Sequence, residues 1–274
     1  MKKILVTGSN GYIGRNLIRV LQLSGHYVVG LDRRDAGFNI GDEFIHQNIL
    51  DTNRIKTQFD TVIHLAALVQ VGGGQKAMMD YYRTNVIGTM NMLEYFDYDN
   101  FIFASTCQAF ESNVYGTTKR LAEQIIRQYA ELNDIDYTIF RFGNVLGGTN
   151  LTNTDGLLYN LIRAKETGTF NVYGDGTQRR DYVHVNEISH AINLAVDRPS
   201  VVHGAESQPY FEYLGHGHLF TVTECVEAFK RSNECDFEVV YKPKRDGDSQ
   251  NVHFAEVSPY MPPDVYTLLN MMKV

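Results

Sequence analysis

A tyrosine and a lysine four residues apart are the first pair in the sequence whose chemistry stands out. Tyr115 and Lys119 lie at the start of a predicted helix, where a spacing of four puts both side chains on one face. A phenol with a pKa of about 10 is a poor base at neutral pH, so a neighbouring ammonium is needed to stabilise its phenolate. A solvated surface pair is the alternative. We favour a general base, because the pair follows a predicted strand that ends in Ser105 and Thr106.

A glycine-rich turn near the N-terminus is the second chemical signal. Gly8, Gly11 and Gly14 lie between a predicted strand, 3–7, and a predicted helix, 12–23. Glycines there permit a tight turn, close packing of the helix on the strand, and close approach of a pyrophosphate to backbone N–H groups. The turn therefore predicts a dinucleotide site rather than an empty loop.

The end of the second predicted strand indicates which dinucleotide binds. Asp32 follows Gly11 by 21 residues, where its carboxylate can accept hydrogen bonds from both hydroxyls of the adenosine ribose. The same carboxylate repels a 2′-phosphate. NAD is therefore favoured over NADP. Binding of the NADP 2′-phosphate by Arg33 and Arg34 is the alternative.

Alternating strands and helices must position these residues over the first 147 positions. The predicted strands are 3–7, 27–31, 44–49, 61–66, 101–105 and 137–142, and the predicted helices are 12–23, 76–96 and 114–132. Most of these strands are rich in apolar residues, as strands buried on both faces must be. The alternation predicts an α/β fold with a doubly wound parallel sheet of the Rossmann type.

The composition of the sequence changes after position 147, where a polar stretch, 148–156, begins. Shorter elements follow: predicted helices at 157–165, 186–196 and 222–231, and predicted strands at 181–185, 211–214 and 237–241. We interpret 1–147 as a dinucleotide-binding domain and 148–274 as a smaller α/β lobe.

Composition excludes several classes of protein. The 274 residues carry a net charge of −7, which argues against a broad footprint for nucleic acid or anionic membrane. No stretch approaches the ~18 apolar residues of a membrane span, and the N-terminal apolar run is too short for a signal peptide. Three cysteines without a CxxC pair favour a reducing cytoplasm. The two histidines at 216 and 218 have no partners at metal-ligand spacing, so no metal is expected.

The Gly-x-x-Gly-x-x-Gly spacing resembles the extended short-chain dehydrogenase/reductases, in the NAD-dependent epimerase/dehydratase family. Asn48 and Ile49 resemble the family's adenine-binding Asp-Ile pair, with an amide replacing the carboxylate. The resemblance implies an NAD site. Its expected residues are Gly8, Asn10, Gly11, Tyr12, Ile13, Gly14, Asp32, Arg33, Asn48, Ile49, Leu65, Ala66, Ala67, Asn85, Tyr115 and Lys119.

By the same resemblance, Thr106 joins Tyr115 and Lys119 as the catalytic hydroxyl that binds the substrate oxygen. The family's 4,6-dehydratases carry an acid and a base after this threonine, whereas this chain carries Cys107 and Gln108. Glutamine cannot abstract a proton, and the glutamate of the related decarboxylases is also absent. Both of those chemistries are therefore disfavoured.

One departure concerns the segment between Thr106 and Tyr115. It has only eight residues, whereas relatives insert a longer proline-rich loop there. We expect a more open sugar pocket, a shifted substrate preference, or a degenerate site.

The second half of the chain carries strings that resemble the family's substrate-binding segments. The string at 141–147 supplies Asn144, and the string at 172–185 supplies Arg180. Near the C-terminus, Arg245 and Asp248 resemble the family's Arg-Pro-Gly-Asp motif, with Asp246 replacing the proline. The resemblance implies that these four residues, with Thr106, bind a nucleotide sugar. Arginine suits a diphosphate because its planar fork meets phosphate oxygens bidentately.

Within the family, the stretches at 64–71 and 75–82 look most like those of UDP-glucose 4-epimerases. The resemblance implies an isomerase that oxidises C4 of a UDP-hexose to a transient ketone and reduces it on the other face. A nucleotide-sugar 4-ketoreductase and an NAD-binding regulatory protein with a vestigial site are the alternatives. A homodimer through the helices at 76–96 and 114–132 is implied by the family alone.

Overall fold

A parallel β-sheet forms the centre of the computed structural model, which describes residues 1–35, 41–51, 57–69, 77–111, 113–148, 156–199, 211–244 and 272–273. In these ranges the strands are β1 (Lys3–Thr7), β2 (Tyr27–Asp32), β3 (Glu43–His46), β4 (Gln58–His64), β5 (Asp97–Thr106), β6 (Asp136–Phe142), β7 (Asn144–Leu146), β8 (Thr169–Tyr173), β9 (Arg179–His184), β10 (Glu212–Leu214), β11 (Leu219–Thr221) and β12 (Glu238–Lys242). The largest sheet has the order β10-β6-β5-β4-β1-β2-β3, and its described strands all run parallel.

The strand order creates a crevice beside β1. Ile4 pairs with Val28 of β2 on one side and with Thr61 of β4 on the other, so the chain changes direction across the sheet at this strand. Ligands of such sheets bind outside the carboxyl ends of the strands at this switch point. The turn after β1 and the segments after β4 and β5 all lie at that edge.

The helices cover both faces of the sheet. They are α1 (Tyr12–Leu23), α2 (Met78–Tyr82), α3 (Gly88–Glu94), α4 (Val114–Asn133), α5 (Leu157–Thr167), α6 (Val185–Asp197) and α7 (Val222–Ser232). A π-helical turn, Arg83–Ile87, joins α2 to α3, and a 3₁₀ turn, Cys107–Phe110, lies between β5 and α4.

Two hydrophobic clusters hold these layers together. On one face, Leu17 of α1 and Ile192 of α6 pack with Ile4 of the sheet, and all three are fully buried. On the other face, Met92 of α3 and Ile126 of α4 are buried in a second cluster with neighbouring strands. Strands buried on both faces by helices explain the near-continuous apolar sequence of β1.

The second half of the chain builds small sheets and also returns to the large one. Strands β7, β9 and β11 form one small sheet, and β8 pairs with β12 in another. However, β10 pairs with β6 at the edge of the large sheet, and α6 packs against α1. The division at position 147 stays a prediction, and its second part contributes a strand and a helix to the first.

The doubly wound parallel sheet predicted from the sequence is confirmed. The helix predicted at 12–23 is found with those bounds as α1. The helix predicted at 76–96 is interrupted by the π turn, and its first residue lies outside the described ranges. Strands β7, β8 and β11, of three to five residues, were not predicted from the sequence. None of the described helices has the length and apolar character needed to span a membrane.

Candidate active site

The glycine turn after β1 leaves no room for side chains. Gly8 has a φ of +70°, and a Cβ atom there would lie 2.8 Å from the backbone nitrogen of Ala66. A Cβ atom on Gly14 would lie 2.4 Å from the carbonyl oxygen of Gly8. The turn is therefore pressed against both the end of β4 and the first turn of α1, as a dinucleotide turn requires.

The first turn of α1 has no side-chain cap and opens onto a cavity. Gly11 is the N-cap residue and offers no side-chain hydrogen bond, and the first turn carries no acidic residue. Gly11, Tyr12 and Ile13 line the cavity. Backbone N–H groups at a helix start attract an anion, so this end fits a pyrophosphate.

Asp32 at the end of β2 lies beside this turn and is buried, with 5% of its surface exposed. Its Oδ2 accepts a hydrogen bond from the Asn10 nitrogen at 3.0 Å, and its Oδ1 accepts one from the Arg34 nitrogen at 2.9 Å. The Arg34 side chain lies 3.5 Å from the same carboxylate. Asp32 and Arg33 line the cavity, whereas Asn10 is buried behind them and positions Asp32.

The segment after β3 forms the next part of the cavity wall. Asn48 accepts a hydrogen bond from the Leu50 nitrogen through its Oδ1, at 3.1 Å, so its amide shapes a turn. The Ile49 carbonyl accepts from Asn91 of α3 at 2.8 Å, and the Ile49 side chain packs against Gly88. Both predicted adenine residues, Asn48 and Ile49, line the cavity.

Asn85 lies behind the wall formed by the end of β4, where Leu65, Ala66 and Ala67 line the cavity. Its Oδ1 accepts from the Leu68 nitrogen at 2.8 Å, and its Nδ2 donates to the Leu68 carbonyl at 3.0 Å. The same Nδ2 donates to Thr118 of α4 at 3.1 Å. Asn85 thus joins the end of β4 to the helix that carries Tyr115, without itself lining the cavity.

Thr106, Tyr115 and Lys119 meet at the carboxyl end of β5. Thr106 and Tyr115 line the cavity side by side. Burial raises the pKa of Tyr115, and the neighbouring Thr106 hydroxyl opposes this rise. Lys119 is buried one helical turn further on, with its Nζ 4.0 Å from the centre of the Phe103 ring. Burial lowers the pKa of Lys119 to about 7, and the Glu123 carboxylate opposes this effect.

A buried ion pair lies beneath these residues and was missed in the sequence. Arg141 of β6 and Glu123 of α4 are 0% and 1% exposed, and Arg141 donates from Nε at 2.9 Å and from a terminal nitrogen at 2.5 Å. Ser105 also donates to Glu123. The signal available was an arginine inside the apolar strand β6, which requires a buried acidic partner.

The second half of the chain supplies the far wall of the cavity. Asn144 and Arg180 line it, and Asn144 donates to the Asp181 carbonyl oxygen at 3.4 Å. Tyr12 of the glycine turn donates to the Gly147 carbonyl oxygen, which joins the two walls. The other two predicted substrate residues, Arg245 and Asp248, lie outside the described residues.

The cavity has a volume of about 1670 Å³ and is continuous from the glycine turn to the second half of the chain. It is large enough for a dinucleotide and a second ligand, given that single drug-sized ligands occupy roughly 300–1,000 Å³. Unpredicted lining residues on the far wall include Asn160, Arg163, Asn171 and Gln178. In the described part of the chain, no cluster of three His, Cys, Asp or Glu residues is arranged to hold a metal.

The chain is similar to known proteins in sequence. Residues 4–207 match the model of the NAD dependent epimerase/dehydratase family. The UDP-glucose 4-epimerase of Rhizobium meliloti (strain 1021) is 30% identical, over 90% of this chain and 86% of the relative.

The fold is similar to that of solved structures. The UDP-glucose 4-epimerase of Thermotoga maritima, solved with UDP-glucose, has a TM-score of 0.84 and 26% identity, covering 99% of this chain and 96% of that one. MoeE5 in complex with UDP-glucose and NAD has a TM-score of 0.83 and 27% identity, covering 98% and 97%. MoeE5 was also solved with UDP-glucuronic acid and NAD. The chain therefore belongs to the NAD dependent epimerase/dehydratase family, as an epimerase enzyme that uses NAD.

Proposed function

We propose that the enzyme interconverts the C4 epimers of a UDP-hexose, of the UDP-glucose and UDP-galactose type. The observation that carries the proposal is that Thr106 and Tyr115 line the cavity, with Lys119 buried one helical turn beyond Tyr115 and no carboxylate in the two positions after Thr106. Cys107 and Gln108 occupy those positions, and burial raises the pKa of Cys107 to about 12. A neutral thiol and an amide leave no acid–base pair for elimination of water.

Tyr115 is the proposed base. Its phenolate takes the proton of the C4 hydroxyl, while Thr106 holds the same substrate oxygen through a hydrogen bond. Lys119, when protonated, favours the phenolate through its positive charge. On the return step Tyr115 gives the proton back to the C4 oxygen, so the protein regains its starting state.

The residues around the glycine turn fit NAD, because a Cβ atom on Gly8 or Gly14 would collide with backbone atoms and the start of α1 has no side-chain cap. The first turn of α1 would hold the pyrophosphate, Asp32 the adenosine ribose, and Asn48 and Ile49 the adenine side. NAD, when bound, supplies the redox chemistry by accepting a hydride from C4 and returning it.

The far wall would hold the nucleotide diphosphate. Arg180 lines the cavity there and is the proposed cationic ligand of the phosphates. Asn144, on β7, would contact the sugar or the diphosphate. Arg245 and Asp248 remain proposed substrate residues on the sequence resemblance alone. The UDP-sugars present in the Thermotoga maritima and MoeE5 structures support a uridine nucleotide.

We also propose that the enzyme is a cytoplasmic homodimer. Met79, Ile87 and Met90 are exposed on the segment from α2 to α3, at 60%, 48% and 42%. The exposure of these apolar side chains, which a second copy would bury, supports the dimer implied by the family resemblance. Three cysteines without a disulfide support a reducing compartment.

A substrate panel tests the proposal. Purified protein and NAD are incubated with UDP-, dTDP- and GDP-hexoses and with UDP-N-acetylhexosamines, and the products are separated by epimer. We expect UDP-glucose and UDP-galactose to give the highest kcat/KM. Faster turnover of a dTDP- or GDP-sugar would overturn the uridine assignment, and stoichiometric NADH release would indicate an oxidoreductase.

A further inference from the structure

Gln108 belongs to the cavity wall next to the proposed catalytic residues. It lines the cavity with Thr106 and Tyr115, on the short 3₁₀ turn between β5 and α4. Its backbone nitrogen donates to Thr106 Oγ1 at 3.2 Å. The side chain of Gln108 therefore starts beside the group that would bind the reacting oxygen.

The backbone of Gln108 is pressed against the start of α4. A Cβ atom on Gly116 would lie 1.9 Å from the Gln108 carbonyl oxygen, so this contact requires glycine. Because Gly116 follows Tyr115 directly, the distance between Gln108 and the phenol is set by main-chain packing.

The amide of Gln108 is oriented by Asn113. Asn113 Nδ2 donates to Gln108 Oε1 at 3.2 Å, and Asn113 Oδ1 caps α4 by accepting from the Gly116 nitrogen at 2.7 Å. With Oε1 engaged, the free side of the amide is Nε2. Within the described residues, this Nε2 has no hydrogen-bond acceptor.

We propose that Gln108 is a specificity-determining residue, whose Nε2 donates a hydrogen bond to the hexose oxygen on C3 or on C6. This inference rests on the proposed function for the position of the sugar. Asn113 acts through Gln108, as a positioning residue that keeps the donor turned toward the cavity. The site then selects hexoses that carry an oxygen acceptor at that point.

The test compares UDP-glucose with its 3-deoxy and 6-deoxy analogues, by calorimetric binding and by kcat/KM. In the wild type we expect one deoxy analogue to bind roughly 3- to 10-fold more weakly than UDP-glucose, the range for one neutral hydrogen bond. In Gln108→Leu that difference is expected to disappear, because the partner of the missing hydroxyl is gone. An unchanged difference in Gln108→Leu would overturn the proposal.

Asn113→Asp is the matched variant outside the cavity wall. Aspartate still caps α4, but it cannot donate to Gln108 Oε1 and instead accepts from Nε2, which turns the amide around. We expect the deoxy discrimination to be lost in this variant with an unchanged melting temperature. Retained discrimination in Asn113→Asp would overturn the positioning role.

The two proposals fail in different ways. If the wild type binds UDP-glucose and discriminates the analogue but forms no epimer, the proposed reaction is wrong and the role of Gln108 stands. If the wild type epimerises UDP-glucose and treats all analogues alike, the role of Gln108 is wrong and the reaction stands. Absence of UDP-glucose binding overturns both.

Discussion

Lys119 shows how burial and charge act on one residue. Its ammonium is buried against the Phe103 ring, and burial lowers its pKa to about 7. The positive charge is most complete below this pKa, whereas the Tyr115 phenolate forms more readily at higher pH. Glu123 lies one helical turn from Lys119 and favours the charged form. The activity of this pair therefore depends on a charge that is only partly present at neutral pH.

Replacing Lys119 by methionine should change how stability depends on pH. The folded-state pKa of about 7 lies below the unfolded value of 10.5, so between these values the unfolded chain binds one more proton. The free energy of unfolding is therefore highest above pH 10.5, where Lys119 is neutral in both states. It falls as the pH drops to 7, because the buried side chain resists the proton that the unfolded chain takes up. We expect wild-type stability to rise from pH 7 to pH 9, and this rise to flatten in Lys119→Met.

Urea unfolding at pH 7, 8 and 9 measures this slope. Cys107 and Cys225, whose folded-state pKa values burial raises from 9.0 to about 12, lower the slope near pH 9 equally in both proteins, so the difference between the two slopes isolates Lys119. Lys165→Met, on the last turn of α5, is a control at a distant lysine for which the slope should remain. Equal slopes in wild type and Lys119→Met would show that the ammonium is solvated.

At the scale of elements, the junction between the 3₁₀ turn and α4 carries the tightest contact near the site. Gly116→Ala would place a Cβ atom 1.9 Å from the Gln108 carbonyl oxygen, which is backbone and cannot rotate away. We expect a loss of about 1–3 kcal/mol in the free energy of unfolding, the usual cost of overpacking. The shift in urea midpoint at constant slope measures it.

Gly88→Ala is the matched control, because Gly88 is also helical. There the nearest atom is Cδ1 of the Ile49 side chain, at 2.6 Å, which can move. We expect this variant to stay within about 1 kcal/mol of the wild type, since alanine also favours the helix. A Gly116→Ala protein as stable as Gly88→Ala would show that the 3₁₀ turn is free to shift.

Elements differ in how far the sequence predicts them. The bounds of α1 follow from Ile13, Leu17 and Leu21 at helical spacing and from Gly25, which has a φ of +84° after the helix end. The return of β10 to the large sheet could not be predicted, because a three-residue strand carries no sign of its partner. The cofactor side of the cavity was predicted from local motifs. The Glu123–Arg141 pair was not, since its partners lie on separate elements and meet only in the fold.

At the scale of the whole molecule, the two halves of the chain share a core. Leu17 of α1 packs in one cluster with Ile188 and Ile192 of α6 and with Leu214 of β10. The first 147 residues alone would expose this apolar face. The far wall of the cavity also comes from the second half, so both the site and the core need the complete sheet.

A fragment of residues 1–147 is therefore expected to lack a cooperative thermal transition and to bind a hydrophobic dye. The cause is the exposed face of α1 and the open edge of β6. Calorimetry and dye fluorescence measure this, with the full chain as the control. A fragment that melts cooperatively and stays monomeric would show that 1–147 is an independent domain.

The central claim is that the enzyme epimerises a UDP-hexose at C4 with Tyr115 as the base. The most direct measurement incubates UDP-galactose with purified protein and NAD, separates the C4 epimers, and follows the absorbance of reduced nicotinamide in the same sample. The wild type should form UDP-glucose while the absorbance stays flat. Tyr115→Phe should fold normally and slow epimer formation by about 10²- to 10⁴-fold. Absorbance that grows with product, or equal epimerisation by Tyr115→Phe and the wild type, would contradict the account.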